Sequence, residues 1–139
     1  MTEEEIFEHN LKQVHITEYE KINYVNNYWE NIQSMTEEEQ IAYVRKDWEN
    51  IRYIENPSEV VQLAAVSFYG PTIQWINNPS EEVKIAAVTQ RGYTVTNFDD
   101  PSEAVQLAAV TQNWNSITFI KNPTDSVKVL AELCKEYAR

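Results

Sequence analysis

The chain has 139 residues, within the usual range for one domain, and it carries 22 Asp and Glu against 11 Lys and Arg, for a formal net charge of −11 at pH 7. A surface of this sign repels nucleic acid and anionic membranes, so we expect direct binding to neither. Aromatic residues make up 12% of the chain and hydrophobic residues 42%, which excludes the composition of disordered proteins.

The sequence predicts neither export nor membrane insertion. Its first five residues, Met1–Glu5, include three glutamates and no positive charge, unlike a signal peptide. No apolar run reaches the roughly 18 residues that span a bilayer. The single cysteine, Cys134, has no partner for an internal disulfide, which agrees with a reducing compartment. We therefore expect a cytoplasmic protein, in the host cytoplasm if the protein is viral.

A ten-residue motif recurs every 22 residues. PSEVVQLAAV at 57–66 returns as PSEEVKIAAV at 79–88 and as PSEAVQLAAV at 101–110, and weaker copies extend the frame in both directions. Such a period is the signature of a repeat architecture. In chain order, the single predicted domain comprises an N-terminal capping helix (1–16), a degenerate repeat (17–34), four repeats (35–56, 57–78, 79–100 and 101–122) and a C-terminal cap (123–139).

Each repeat is predicted to open with a long helix. The Asn or Asp before the proline is the expected N-cap, proline takes the first helical position, and the next acidic residue falls at N3 as in a capping box. We expect the helix to end near Gly70 or Gly92, where glycine favours a left-handed residue. The predicted caps are Asn56, Asn78, Asp100 and Asn122, and their acidic partners are Glu59, Glu81, Glu103 and Asp125.

A short apolar segment follows each long helix. Its apolar residues are three apart, which suits one or two turns of α- or 3₁₀-helix better than a strand. The two inward columns are Ile51, Ile73, Val95, Ile117 and Ile54, Ile76, Phe98, Ile120.

The last unit is predicted to be an end cap with one neighbour. A single apolar stripe should face the preceding repeat, with polar residues on the remaining surface. The stripe comprises Val127, Leu130, Cys134 and Tyr137, and the polar residues are Lys128, Glu132, Lys135 and Glu136.

These patterns predict an all-α fold, a short α-solenoid of about five to six stacked long-helix/short-helix repeats with a capping helix at each end. The unit NPSEEVKIAAVTQRGY at 78–93 resembles a repeat family of unknown function found in bacterial and bacteriophage proteins, and the close match covers residues 56–133. The layout is similar to variant leucine-rich repeats and to HEAT-like α-solenoids. The resemblance implies this fold and a bacterial or phage setting, and it brings no catalytic residues.

No enzyme, metal or cofactor site is predicted. His9 and His15 are far in sequence from Cys134, so no zinc-type ligand spacing occurs. The only two glycines are 22 residues apart and cannot form a phosphate-binding loop. We therefore expect no catalytic residue, no bound metal and no cofactor.

One column of the short segments is predicted to point outward. It lies between the two apolar columns, and its polar member Asn97 suggests exposure. Its residues either cover the ridge between neighbouring repeats or form a ladder of aromatic anchors of the kind enriched at protein interfaces. The candidate partner-binding residues are Tyr53, Trp75, Asn97 and Phe119, with Phe68 and Tyr69 adding to the same or an adjoining patch.

The leading hypothesis for function is a non-enzymatic protein–protein interaction module, because repeat arrays present extended recognition surfaces. Its partner is another protein or a second copy of the chain. The alternative is an acidic inhibitor that mimics nucleic acid, in the manner of phage anti-CRISPR or anti-restriction proteins, and its partner would be basic or nucleic-acid-binding. Residues 1–56 support it with 13 acidic and 5 basic side chains (13 − 5, net −8), and the candidate acidic surface is Glu37, Glu38, Glu39, Asp47, Glu49 and Glu55.

Overall fold

The computed structural model describes residues 2–5 and 28–138, and within these ranges it contains helices and no strand. Long α-helices alternate with 3₁₀-helices, and residues 28–33 are also helical. The alternating elements are α1 (Glu37–Lys46), η1 (Trp48–Tyr53), α2 (Glu59–Phe68), η2 (Gly70–Trp75), α3 (Glu81–Gln90), η3 (Gly92–Asn97), α4 (Glu103–Gln112), η4 (Trp114–Phe119) and α5 (Asp125–Tyr137).

Consecutive long helices pack side by side, and the 3₁₀-helices form a second layer against them. The core runs along the array as columns of small and β-branched side chains. Because the alanines carry only a methyl group, neighbouring helices approach closely. The fully buried columns are Val61, Val83, Val105, Val127 and Val44, Val66, Val88, Val110, with Ala65, Ala87 and Ala109 between them. The predicted all-α solenoid, with 3₁₀-helices as its short segments, is thus confirmed.

The helix caps differ from the sequence prediction. The N-cap is the Ser or Thr that follows proline, and the Asn or Asp that precedes proline lies two residues earlier. A short hydroxyl side chain at the N-cap reaches the N3 amide, as between Ser80 Oγ and the Val83 amide at 3.3 Å. Asn56 and Asn78 instead adopt left-handed backbone conformations with φ of 47° and 49°. The capping-box pattern occurs at Thr36 and Glu39.

The repeated glutamates therefore sit at the first helical position and bond across repeats. The Ser80 hydroxyl donates to the Glu59 carboxylate at 2.7 Å, and the Thr124 hydroxyl donates to Glu103 at 2.6 Å. The same bond joins Ser58 to Glu37 and Ser102 to Glu81. We call this series the cap ladder. It ties the start of each long helix to the start of the one before it.

The glycines serve close packing rather than a left-handed turn. The residue after each of α1 to α4 is extended, with φ between −146° and −153°, and neither glycine has positive φ. A Cβ on Gly70 would lie 2.3 Å from the Ala87 carbonyl oxygen, and one on Gly92 would lie 2.5 Å from the Ala109 oxygen. Glycine is required here because the start of the 3₁₀-helix touches the backbone of the next long helix.

The outer surface of α5 also differs from the prediction. Val127 is fully buried, and Leu130 and Cys134 are half-buried, as expected for the inward stripe. Tyr137, assigned to the same stripe, is 88% exposed, because it lies at the last turn of α5. Val129 and Leu133 are exposed on the side expected to be polar.

The N-terminal assignments fall mostly outside the described residues, as do His9 and His15. Residues 2–5 contact the first repeat, where Lys46 Nζ lies 3.0 Å from the Glu3 carboxylate. None of the helices in the described ranges combines the length and the apolar character that crossing a bilayer requires.

A matched pair of substitutions in α4 tests the close packing. Ala109→Asp places a carboxylate at a fully buried site without a partner, so we expect the free energy of unfolding to fall by about 3 kcal/mol or more. Ala104→Asp puts the same group at an exposed position in the first turn, where the helix dipole favours negative charge by roughly 0.3 to 1 kcal/mol. Urea unfolding followed by circular dichroism gives both values, and equal stability of the two variants would contradict the packing described.

The buried tyrosine of α1 predicts how stability changes at high pH. Burial, together with the hydroxyl of Tyr28 at 3.5 Å, raises the pKa of Tyr43 above its ordinary value of about 10. The folded state then holds this proton more tightly than the unfolded state. The free energy of unfolding should be unaffected below about pH 10 and fall above it, by at most about 1.4 kcal/mol per pH unit for this group.

The loss of stability above about pH 10 should be smaller in Tyr43→Phe than in the unmodified chain. In Tyr137→Phe, where the substituted residue is exposed, the loss should equal that of the unmodified chain. Urea titrations between about pH 8 and pH 11 measure both slopes. If Tyr43→Phe lost stability above pH 10 as steeply as the unmodified chain, another group would be responsible.

Candidate functional site

The predicted outward column lies at the last position of the four 3₁₀-helices, and its exposure varies along the array. Asn97 and Phe119 are exposed and Trp75 is half-buried, whereas only 8% of Tyr53 is exposed. The expectation that the whole column points outward is therefore wrong for Tyr53. Its ring packs edge-on against Trp29 at 5.5 Å between centroids, and its hydroxyl donates to the Glu4 carboxylate at 2.6 Å.

Three aromatic rings meet around Trp48, at the N-terminal side of this face. Trp48 stacks on Trp75 with 5.6 Å between centroids and an interplanar angle of 16°. It also contacts Tyr69 at 4.5 Å with a tilt of 40°. All three side chains are half-buried, so part of each ring remains open to solvent. Trp48 is the first residue of η1, Tyr69 directly precedes η2, and Trp75 is the last residue of η2.

Two arginines lie over these rings. The Arg52 guanidinium is 5.3 Å from the centroid of Trp75 and equally far from that of Tyr53, and Arg91 is 5.3 Å from the centroid of Tyr69. Each distance is within the roughly 6 Å at which a cation is attracted to an aromatic face. We call Trp48, Arg52, Tyr69, Trp75 and Arg91 the aromatic cluster.

The two arginines differ in their other contacts. Arg52 donates to the Tyr53 hydroxyl at 2.7 Å, and it faces the carboxylates of Glu4 at 3.7 Å and Glu49 at 3.9 Å. The bond to Tyr53 raises the pKa of Arg52, which keeps the guanidinium charged. Arg91 is exposed and forms no ion pair with any residue in the described part of the chain.

The cluster extends towards the next repeat through Tyr93, the second residue of η3. The nearby Tyr69 hydroxyl raises the pKa of Tyr93, and the Tyr93 side chain is exposed. The aromatic surface therefore continues over three consecutive repeats.

A groove borders the cluster on the side of Trp75. Its volume is about 350 Å³, which is the size of a small ligand or of one or two side chains. Arg52 and Trp75 contribute to its lining, and residues of the two successive loops supply most of the rest. The lining residues are Ile51, Arg52, Ile54, Glu55, Asn56, Pro57, Gln62, Trp75, Ile76 and Asn77.

Sequence reasoning named Tyr69 and Trp75 but missed Trp48, Arg52 and Arg91. The predicted column joins equivalent positions of successive repeats, whereas the cluster joins different positions of neighbouring repeats. The interruption of the repeat was the available signal, because Trp48 stands where the next two units have glycine. Asn97, Phe68 and Phe119 lie outside the cluster, and neither phenylalanine makes a ring contact within the described residues.

The six candidate acidic residues do not form one stripe. Glu37, Glu38 and Glu39 are exposed in the first turn of α1. Asp47 lies past the other end of that helix, about 15 Å away for ten residues at 1.5 Å each. Its carboxylate caps η1 by accepting from the Glu49 amide at 3.0 Å, and Glu49 faces Arg52. Glu55 is exposed in the loop after η1.

Within residues 2–5 and 28–138, no three His, Cys, Asp or Glu side chains are placed to hold a metal ion. The aromatic cluster consists of stacked rings and guanidinium groups, which can bind a partner through stacking, cation–π contacts and ion pairs.

No protein-family model, no curated protein and no solved structure matches the chain, so the family resemblance stays a prediction from the repeat motif.

Proposed function

We propose that the chain is a non-enzymatic protein-binding module and that the aromatic cluster is the centre of its recognition surface. The observation that carries this proposal is the packing of two Trp and one Tyr, each partly open to solvent, against two arginines. Tyr, Trp and Arg are the residue types most enriched among those that dominate protein-binding energy. Because the rings already contact one another, little side-chain freedom is lost when a partner binds.

Two features of the cluster support a proposal for the chemistry of the partner. Arg91 is exposed and without an ion pair in the described ranges, so it suits a carboxylate. The groove beside Trp75 has a mainly polar lining and is large enough for one or two polar side chains. We therefore propose a partner segment that carries an acidic residue next to such side chains. The net charge of −11 would steer a partner that is basic overall towards the chain before these contacts form.

Trp75→Ala tests the proposal, with Phe119→Ala as the matched control. Both residues end a 3₁₀-helix in the same column, and only Trp75 belongs to the cluster. Affinity capture from the source cell with the unmodified chain identifies the partner, and titration with each variant then gives the affinity. We expect Trp75→Ala to weaken binding by about 2 kcal/mol or more, roughly 30-fold, because it removes a central aromatic anchor. Phe119→Ala should bind as the unmodified chain does.

The same two variants separate binding from packing. If Trp75 only covers the ridge between repeats, its removal lowers the melting temperature and leaves association unchanged. That result, or equal loss of binding in both variants, would end the assignment of the aromatic cluster as the recognition surface.

A second candidate function is an acidic inhibitor that mimics nucleic acid. The observation in its favour is that the cap ladder lines one edge of the array with carboxylates, beginning at Glu37 and continuing through Glu59, Glu81 and Glu103. Asp47 and Glu49 lie at the opposite end of α1 and have local structural roles. The candidate surface therefore reduces to this edge, with Glu38, Glu39 and Glu55.

Charge reversal distinguishes this candidate from the first. If the edge mimics phosphates, changing Glu38 and Glu55 together to Lys should strongly weaken binding to a basic partner, and the affinity of the unmodified chain should fall steeply with salt. Binding that is insensitive to both changes would favour the aromatic cluster.

A further inference from the structure

Arg91 lies at a point where the described part of the chain offers it no carboxylate. The residue directly precedes η3, and its guanidinium is exposed and 5.3 Å from the centroid of the Tyr69 ring in the preceding repeat. None of the ion pairs within residues 2–5 and 28–138 includes it. A cation without such a pair is unexpected here, because acidic side chains outnumber basic ones 22 to 11.

A phenol hydroxyl lies beside this guanidinium. Tyr93 is two residues after Arg91, and its side chain is 42% exposed. Its hydroxyl is close to that of Tyr69 and to Arg91. Tyr69 has the larger influence and raises the pKa of Tyr93, so this hydroxyl is protonated at neutral pH and can donate a hydrogen bond. The guanidinium and the Tyr93 hydroxyl therefore form one group of donors that is open to solvent.

The packing around these donors limits their freedom. The face of Tyr69 attracts the guanidinium, and Tyr69 is itself held against Trp48, with 4.5 Å between the ring centroids. Gly92, which lies between the two donor residues, is buried, and its amide donates to the Gln112 side chain at 2.6 Å. The next long helix thus fixes the backbone that carries both donors, so little freedom is lost when a ligand binds.

The surroundings of Arg91 leave its charge uncompensated. At the positions equivalent to Arg91 and Tyr93, the adjacent repeats carry uncharged side chains: Tyr69 and Pro71 before, Asn113 and Asn115 after. Charged side chains at or next to these positions are two repeats away: Asp47 and Glu49 on one side, Lys135 and Glu136 on the other. Two helix spacings of roughly 8 to 10 Å each exceed the Debye length of about 8 Å at physiological ionic strength. An anion at Arg91 is therefore screened from those carboxylates.

We propose that Arg91 and Tyr93 form a carboxylate-binding site, with the ring of Tyr69 holding the guanidinium in place. Two guanidinium N–H groups pair with the two carboxylate oxygens, and the Tyr93 hydroxyl donates to one of them. A single positive charge matches a monoanion, whereas a phosphate dianion would add excess negative charge to a chain that already carries −11. The inference rests on the proposed function, because the carboxylate belongs to the partner segment, as an Asp or Glu side chain or as a C-terminus.

Sodium acetate is the probe, exchanged for sodium chloride at a constant ionic strength of ~0.3 M while the full chain is followed by NMR. The backbone amide signal of Gly92 should shift along a curve that saturates, and in Arg91→Gln it should not respond. Tyr93→Phe should weaken acetate binding by about fivefold or more, because it removes a hydrogen bond to a charged group. Tyr137→Phe is the matched control, since it removes a phenol hydroxyl from an exposed residue of α5 and should leave acetate binding unchanged.

Three results would overturn the proposal. The first is a shift that stays linear in acetate, as it does without a specific site, and the second is equal acetate binding in Tyr93→Phe and Tyr137→Phe. The third is an unchanged response in Arg91→Gln, which would mean that the guanidinium serves only the C-terminal end of α3. Inorganic phosphate at about pH 8, where it is mainly a dianion, is the second probe. If it bound as tightly as acetate, the assignment to carboxylates would be wrong.

The partner titrations separate this site from the proposed function. If acetate does not bind but Trp75→Ala still weakens partner binding, only the carboxylate site fails. If acetate binds as expected and Trp75→Ala leaves the partner's affinity unchanged, only the proposed function fails. Amidation of the partner's C-terminus, compared with replacement of its Asp and Glu by Asn and Gln, then shows which carboxylate occupies the site.

Discussion

The close approach of consecutive long helices is the constraint on which the rest of the structure depends. Fully buried alanines allow that approach, and it brings the carbonyl oxygen of Ala87 to the start of η2 and that of Ala109 to the start of η3. A side chain at Gly70 or Gly92 would collide with those oxygens. The alanine column and the glycines are therefore two parts of one steric requirement, because each glycine lies against the alanine of the next repeat.

The contact between the 3₁₀-helix and the next long helix also involves a glutamine of that long helix. The amide of Gly70 donates to the side-chain oxygen of Gln90 at 2.7 Å, and that of Gly92 donates to Gln112 at 2.6 Å. Where the 3₁₀-helix begins with tryptophan instead, the equivalent residue of the next long helix is Phe68 or Cys134. Glutamine thus occurs where a glycine leaves the backbone amide accessible. Where Trp48 or Trp114 begins the 3₁₀-helix, neither the glycine nor the glutamine is present. Because Trp48 replaces the glycine, its ring is available to stack on Tyr69 and Trp75. The aromatic cluster therefore occurs where the regular glycine–glutamine packing is interrupted.

The fold was predictable because its determinants repeat. The 22-residue period, the inward columns and the three-residue spacing of the short segments all follow from comparing equivalent positions. The caps were misplaced by two residues because both Asn and Ser are good N-caps, and only the geometry shows which hydroxyl reaches the N3 amide. The candidate site was predicted in part, through Tyr69 and Trp75. Its arginines and Trp48 come from different positions of neighbouring repeats, and a comparison of equivalent positions cannot bring these together.

The cap ladder has a consequence for how such arrays can vary. Each of its bonds joins residues 21 apart, and each connects one unit only to the unit before it. A whole repeat can therefore be duplicated or removed in frame without leaving a hydroxyl or a carboxylate unmatched at the junction. The number of repeats is then open to change by recombination within the gene, while the neighbouring repeats that together hold the aromatic cluster can stay as they are.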